Sequence, residues 1–197
     1  MASSQELPAT QERTRGSGVF IALIPWILFT LIAQHGTLQL ASIAALVIAV
    51  GISVPGITSG RPKLLELGAV AAFAAFTIVA FAADPAVAHW VERYARGIAA
   101  ALLALIAFAS LATVPFTEQY AREEVSPEVW GSSQFKSINR RLTLMWALVF
   151  TAMIPFHIAA GVIDTRVTNI AFNWAAPIAL ILWAIKQTSA LTESEEA

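Results

Sequence analysis

Apolar residues fill this chain in six long stretches that short polar connectors separate. The stretches cover residues 19–34, 38–54, 64–83, 98–116, 142–163 and 168–185. About 20 helical residues cross the roughly 30 Å hydrocarbon core of a bilayer, and a helix satisfies its own backbone hydrogen-bonding groups there. The pattern therefore predicts an all-α fold, a six-helix polytopic transmembrane bundle over residues 18–187.

Polar sequence lies outside these stretches in two tails and one long connector. Residues 1–17 are polar, and we expect them to form a disordered cytoplasmic tail because such segments cannot bury a core. In the same interpretation, residues 188–197 are an acidic cytoplasmic C-terminal tail. Residues 117–141 form a cytoplasmic connector between the fourth and fifth stretches.

The basic residues are distributed unevenly between the two ends of the predicted helices. One end carries Arg13, Arg15, Arg61, Lys63, Arg122, Lys136, Arg140, Arg141 and Lys186. The other end carries only Arg93, Arg96 and Arg166. Because short cytoplasmic connectors are enriched in Lys and Arg, we expect both termini in the cytoplasm.

Composition excludes several classes of protein. The 197 residues are 57% hydrophobic and 13% charged, whereas about a quarter of the residues are charged in a soluble domain. The absence of cysteine excludes disulfides, thiolate metal sites and cysteine nucleophiles. A net charge of −1, with basic residues spread along the chain, gives no sign of a nucleic-acid partner.

His157 is the only ionisable residue well inside a predicted helix, and ionisable side chains at such depth are candidates for function. It lies six residues before the end of the fifth stretch, about 9 Å along a helix. Because residues 164–167 form a tight turn, the fifth and sixth helices should be antiparallel, and Asn173 then lies at matching depth. We predict a hydrogen bond between His157 and Asn173, in a pair that is either structural or functional.

The connector holds the most distinctive polar sequence of the chain. Glu118 and Arg122 are four residues apart, a favourable pair on a helix that continues the fourth stretch. Residues 126–128 (Ser-Pro-Glu) predict the start of a short helix, and Gly131 is expected to end that helix. The connector is either a solvated loop or a docking surface for a partner or for lipid. The candidate docking residues are Glu118, Tyr120, Arg122, Trp130, Phe135, Lys136, Asn139, Arg140 and Arg141.

The usual sequence motifs of enzymes are absent. There is no Gly-rich phosphate loop, His-Glu-x-x-His helix, Gly-x-Ser-x-Gly elbow or pair of intramembrane aspartates. The centres of the predicted helices hold no Asp, Glu, Lys or Arg as a proton or cation relay. His35 and His89 lack the spacing of a metal-ligand pair. We expect neither an enzyme nor a bound metal or other cofactor.

Three segments carry a resemblance to a known family. They are residues 23–26 (Leu-Ile-Pro-Trp), 61–63 (Arg-Pro-Lys) and 141–150 (Arg-Leu-Thr-Leu-Met-Trp-Ala-Leu-Val-Phe). Their order, over about residues 18–187, resembles that of the intracellular septation protein A family of small bacterial inner-membrane proteins. Thr143 stands where that family has asparagine, and Asn139 lies one turn earlier. The resemblance implies a bacterial inner-membrane location and a role in envelope maintenance or septation.

Two functions remain open. The first is a non-enzymatic envelope protein that acts through membrane lipids, through other envelope or division proteins, or as a homo-oligomer. The second is a small permease or channel that uses His157 and kinks at prolines within the helices. An internal cavity lined by His157, Asn173, Thr151 and Thr143 would favour the permease, and a tightly packed bundle would favour the envelope protein.

Overall fold

Helices account for most of the residues that the structure describes. A computed structural model describes residues 17–193, which form α-helices joined by turns, without a β-strand among them. The α-helices are α1 (Ser17–His35), α2 (Leu38–Thr58), α3 (Leu64–Ala82), α4 (Pro85–Ser110), α5 (Phe116–Ala121), α6 (Ser133–Ile163), α7 (Arg166–Ile170) and α8 (Ala176–Glu193). A π-helical segment, Ala171–Ala175, joins α7 to α8. The prediction of an all-α fold is confirmed.

Several of these helices match the dimensions of a bilayer. Within residues 17–193, five segments are long and apolar enough to span it, namely Leu38–Thr58, Leu64–Ala82, Pro85–Ser110, Ser133–Ile163 and Arg166–Thr192. In α1, the apolar part Gly18–Gln34 is shorter. By length and composition, the chain has the helices of a multi-pass membrane protein.

Successive long helices run in opposite directions, so the bundle has two distinct ends. We call the end that holds α5 the connector end and the opposite end the distal end. At the distal end, Gln39 Nε2 at the start of α2 donates to the Ala80 carbonyl near the end of α3, at 2.9 Å. At the same end, Arg93 Nε of α4 donates to the Gly161 carbonyl of α6, at 2.6 Å.

The core combines aromatic rings with small side chains. The rings of Trp26 and Phe73 have centroids 4.8 Å apart, and those of Phe29 and Phe76 are 4.7 Å apart, which joins α1 to α3. Elsewhere α3 approaches α4 so closely that a Cβ at Gly68 would overlap the Ile106 side chain. Small residues at such positions permit the close backbone approach that drives helix association in lipid.

The fourth helix begins earlier than hydropathy predicts. α4 starts at Pro85 rather than at residue 98, because the Asp84 side chain accepts a hydrogen bond from Ala86 N at 2.8 Å and proline occupies the first turn. The predicted start of the fourth helix at residue 98 is therefore wrong. Arg96 consequently lies within a helix long and apolar enough to span the membrane.

The connector also differs from its prediction. Residues 126–131 form turns rather than a helix, with hydrogen bonds such as Val129 N to the Ser126 carbonyl at 3.1 Å. α6 then begins at Ser133, nine residues before the apolar stretch, because Ser132 Oγ accepts from Phe135 N at 3.2 Å. At the other end of the chain, α8 continues to Glu193. Most of the two predicted tails, residues 1–16 and 194–197, lies outside the described residues.

Candidate functional sites

The connector is folded against the bundle by a buried group of hydroxyls. The hydroxyl oxygens of Thr117 and Thr143 are 2.8 Å apart, and Thr117 Oγ1 also donates to the Asn139 carbonyl at 2.8 Å. Next to them, Phe116 N donates to Ser110 Oγ at 3.0 Å. Because these groups are buried, α5 is anchored to α4 and α6 and is not a solvated loop.

An ion pair orders the outer part of the connector. Arg122 donates to Glu118 Oε1 from Nε at 3.1 Å and from Nη2 at 2.6 Å, so the predicted pairing of these residues is present. Glu118 is 4% exposed. The Arg122 guanidinium also lies 5.2 Å from the centre of the Trp130 ring, a cation–π geometry. These contacts hold the turn residues against α5.

A second charged group, which sequence reasoning missed, joins α3 to α5. Lys63 Nζ lies 3.6 Å from Glu66 Oε1 and 2.9 Å from Glu123 Oε2, and it sits 4.4 Å from the centre of the Tyr120 ring. The Tyr120 hydroxyl is 3.4 Å from Glu66 Oε1. Burial, reinforced by the charge of Glu66, raises the pKa of Tyr120, so the phenol stays a neutral donor. The only sequence signal was Glu66 itself, the one acid in its apolar stretch.

Two clefts open at the connector end. The first, which we call the polar cleft, has a volume of about 440 Å³. Its chemically distinctive lining residues are Arg61, Lys63, Gln119, Arg122, Glu123 and Trp130. Within residues 17–193, Trp130 Nε1 is buried and has no hydrogen-bond partner. The cleft therefore presents cations, one carboxylate and an aromatic side chain on a single concave surface.

The second cleft, which we call the amphipathic cleft, lies between α1, α5, α6 and α8 and has a volume of about 490 Å³. Apolar side chains such as Phe20, Leu142 and Ile185 line part of it. Hydroxyl side chains near the end of α8, including Ser189 and Thr192, line another part.

The predicted docking residues do not form one surface. Arg122 and Trp130 line the polar cleft, whereas Tyr120, Phe135 and Asn139 line the amphipathic cleft. Glu118 is buried in its ion pair. The remaining three residues are basic and are exposed outside both clefts, namely Lys136, Arg140 and Arg141.

At the distal end, the predicted contact between His157 and Asn173 is present. His157 Nδ1 lies 2.8 Å from Asn173 Oδ1, and Asn173 Nδ2 donates to Asn169 Oδ1 at 2.8 Å. Because an amide oxygen can only accept, the contact with Asn173 Oδ1 requires a proton on His157 Nδ1. A neutral imidazole then has its acceptor lone pair on Nε2.

Arg96 lies beside this pair, although its place in α4 was not predicted. A Cβ at Gly97, the next residue, would lie 3.5 Å from His157 Cβ. Arg96 Nη2 is 3.5 Å from the Thr30 carbonyl of α1, and its Nε is buried without a partner in the described part of the chain. Arg93 has closer partners, since it also lies 3.7 Å from Asp164 Oδ2. The distal end thus contains more intramembrane polarity than hydropathy predicts.

Of the four side chains proposed to line a transport cavity, Thr143 and Thr151 lie apart from the pair formed by His157 and Asn173. Thr151 is exposed and donates to the Ala147 carbonyl at 2.8 Å. Thr143 lies 14 residues before His157, about 21 Å along α6, and its hydroxyl contacts Thr117. Among the side chains that the structure describes, no group of three or more His, Cys, Asp or Glu could hold a metal ion.

Comparisons with known proteins supply no relative. No family model, curated protein or solved structure matches this chain. The structure distributes the three segments of the family resemblance over the bundle: residues 23–26 contribute to the core, residues 61–63 border the polar cleft, and residues 141–150 lie in α6.

Proposed function

We propose that this chain is a non-enzymatic integral membrane protein that acts in envelope maintenance or septation by docking a partner protein at its connector end. The observation that carries the proposal is the folding of the connector into a surface that encloses the polar cleft. A loop that only joined two spans would not need the buried hydroxyl contact between Thr117 and Thr143. The family resemblance of residues 23–26, 61–63 and 141–150 supports the cellular role.

The proposal includes a six-span topology with both termini in the cytoplasm of a bacterium. α1 has 19 residues, about 28 Å of helix, which approaches the thickness of the hydrocarbon core. When α1 is counted together with the five longer segments, the chain crosses the membrane six times. In this topology the connector end faces the cytoplasm. The excess of Lys and Arg on that side supports the orientation.

The chemistry of the polar cleft favours a polypeptide segment with acidic side chains. Arg61, Lys63 and Arg122 outnumber Glu123 among the charged residues of its lining. Arg and Trp are among the side chains that most often dominate protein interfaces, and the lining of the polar cleft contains both. An acidic side chain of a partner would contact Arg61, which is exposed at this cleft.

Site-specific photo-crosslinking in living cells tests this proposal. A photoreactive residue at Val129, which is 41% exposed beside Trp130, should capture a specific envelope or division protein. Arg61→Glu should abolish capture because it reverses one charge of the cleft. A photoreactive residue at Val167, which is 76% exposed at the distal end, is the matched control. Equal capture from both positions, or capture unaffected by Arg61→Glu, would contradict docking at the polar cleft.

The permease or channel is the second candidate function and has weaker support. It draws on the burial of His157, which is 5% exposed, and on the π-helical segment that carries Asn173. Such segments occur frequently at functional sites. However, Thr143 and Thr151 have other partners and do not join His157, so the residues that the structure describes give no continuous polar path for transport.

A further inference from the structure

We infer that the junction between α4 and α6 binds an anionic phospholipid at the connector end of the bundle. The phosphate would lie beside the exposed basic side chains at the start of α6, which we call the basic face, namely Lys136, Arg140 and Arg141. The acyl chains would lie along the apolar surface of the two helices. This site lies outside both clefts, so the inference goes beyond the docking of a protein partner.

The basic face is held in a fixed direction by the packing of α6 against α5. Phe135 and Asn139, which come from the same turns of α6, are buried. Asn139 Nδ2 donates to the Phe135 carbonyl at 2.9 Å, and the Asn139 carbonyl accepts from Thr117 Oγ1 at 2.8 Å. Because these contacts fix the rotation of α6 about its axis, the cations of the basic face project from the bundle at fixed positions.

The depth of the basic face matches the depth of lipid phosphates. The apolar stretch of α6 covers residues 142–163, which form about 33 Å of helix and so match the roughly 30 Å hydrocarbon core of a bilayer. Arg140 and Arg141 come directly before this stretch, and Lys136 lies one turn further from the bilayer centre. Basic side chains in such a position attract anionic headgroups.

The charge of the basic face is not neutralised within residues 17–193. The ion pairs of that part of the chain join other residues, and the side chains of Lys136 and Arg141 have no hydrogen-bond partner there. Arg140 uses only one donor, from Nη1 to the Leu111 carbonyl at 3.1 Å. Phosphate oxygens can accept from the donors that remain, and such charge-assisted contacts are strong. A headgroup with a net negative charge is therefore favoured over a zwitterionic one.

Apolar side chains continue the site toward the bilayer centre. Leu144 lies four residues after Arg140, hence on the same side of α6, and it is 43% exposed. On α4, Phe108 lies one turn before Leu111, whose carbonyl contacts Arg140, and it is 39% exposed. Because α4 and α6 are antiparallel, Leu144 and Phe108 both lie on the bilayer side of that contact. The junction thus presents cations next to an apolar surface, which matches an anionic amphiphile.

The test uses the purified protein in phosphatidylethanolamine nanodiscs that contain a trace of a photoactivatable lipid with a diazirine on its acyl chain. Labelling is measured with a phosphatidylglycerol probe and with a phosphatidylethanolamine probe. The ratio of the two at Leu144 should exceed the ratio at Val47, an exposed residue of α2, by about fivefold or more, since one basic residue near an anionic headgroup contributes roughly that factor.

Substitutions in the basic face should lower this preference. Lys136→Gln and Arg140→Gln should each reduce the ratio at Leu144 about fivefold. Lys186→Gln, which removes an exposed basic residue of α8, is the matched control and should leave the ratio unchanged. Circular dichroism of all variants distinguishes loss of binding from loss of fold, and Lys136→Gln removes no side-chain hydrogen bond within residues 17–193.

Several results would overturn the inference. Equal ratios at Leu144 and Val47 would refute a specific site, and equal effects of Lys136→Gln and Lys186→Gln would show that only the total charge of the protein matters. Equal ratios together with photo-crosslinking of a protein in cells from Ser137, an exposed residue beside Lys136, would replace the lipid with a protein occupant. Capture from Val129 at the polar cleft should persist in Lys136→Gln, so the two proposals can fail independently.

Discussion

Asn173 Oδ1 accepts a hydrogen bond from His157 Nδ1 across the contact between α6 and the π-helical segment, at 2.8 Å. The same amide makes a second contact, in which Asn173 Nδ2 donates to Asn169 Oδ1 at 2.8 Å. The imidazole is thus held in one tautomer within the apolar part of the bundle. A buried polar group in this environment is costly unless it is paired.

Asn173→Leu should therefore destabilise the protein, because it leaves His157 Nδ1 buried without an acceptor. We expect a loss of about 1–2 kcal/mol in the free energy of unfolding, since interhelical hydrogen bonds in membranes contribute up to about that amount. Reversible unfolding in mixed detergent micelles, followed by circular dichroism, measures the change.

A double-mutant cycle isolates this contact from general packing effects. His157→Leu combined with Asn173→Leu should be more stable than the sum of the single substitutions indicates, because removing both partners leaves neither unsatisfied. Strict additivity of the two substitutions would mean that the contact contributes nothing to stability.

Loss of the buried hydroxyl contacts of the connector should loosen only the part of the protein around α5. Thr117→Val removes the donor to the Asn139 carbonyl and the contact with Thr143, and we expect it to cost about 1–2 kcal/mol. Because the loss is confined to the anchoring of α5, limited proteolysis should cleave residues 117–132 several times faster. Thr113→Val, at an exposed site, is the control and should leave the cleavage rate unchanged. An equal cleavage rate for Thr117→Val and the wild type would show that these hydrogen bonds do not anchor the connector.

The distal contact was predictable because its geometry follows from local spacing. A tight turn between two antiparallel helices places residues equally far from the turn at the same depth, so His157 and Asn173 could be paired from sequence. The ends of α4 could not be derived in this way. Hydropathy is averaged over a stretch of sequence, and a helical turn that contains polar residues is then not recognised as part of the helix. The capping residue Asp84 and the following Pro85 were the signal that marked the true start of that helix.

The charged group at the connector end could not be predicted for a different reason. Tyr120 is 54 residues from Glu66, and their contact exists only because α5 folds back against α3. No periodicity or motif in the sequence predicts that α5 folds back against α3. Hydropathy analysis also places Glu66 near a helix end, where an acid is unremarkable, and only the packing shows that it is 6% exposed.

The charged group formed by Lys63 and Glu66 should respond differently to a single and to a double substitution. Lys63→Met should leave the Glu66 carboxylate buried without its cation and should cost about 3 kcal/mol or more in unfolding free energy. Lys63→Met combined with Glu66→Gln should recover most of that loss, because the unpaired charge is gone. Arg61→Met, at an exposed position nearby, is the control for loss of a basic residue. Failure of the double substitution to recover stability would contradict a role for the pair, and unfolding in detergent measures all variants.

The close approach of α3 and α4 gives a prediction about packing. Gly68→Ala places a methyl group where the Ile106 side chain lies, and overpacking of this kind costs about 1–3 kcal/mol. Ile106→Val, which shortens the opposing side chain, should partly restore stability in the double variant. Gly51→Ala is the matched control, since a Cβ there meets nothing within 4 Å and alanine is the better helix former. Thermal unfolding should therefore rank Gly51→Ala at or above the wild type and Gly68→Ala clearly below it. The reverse order would mean that α3 and α4 do not pack at Gly68 in the membrane.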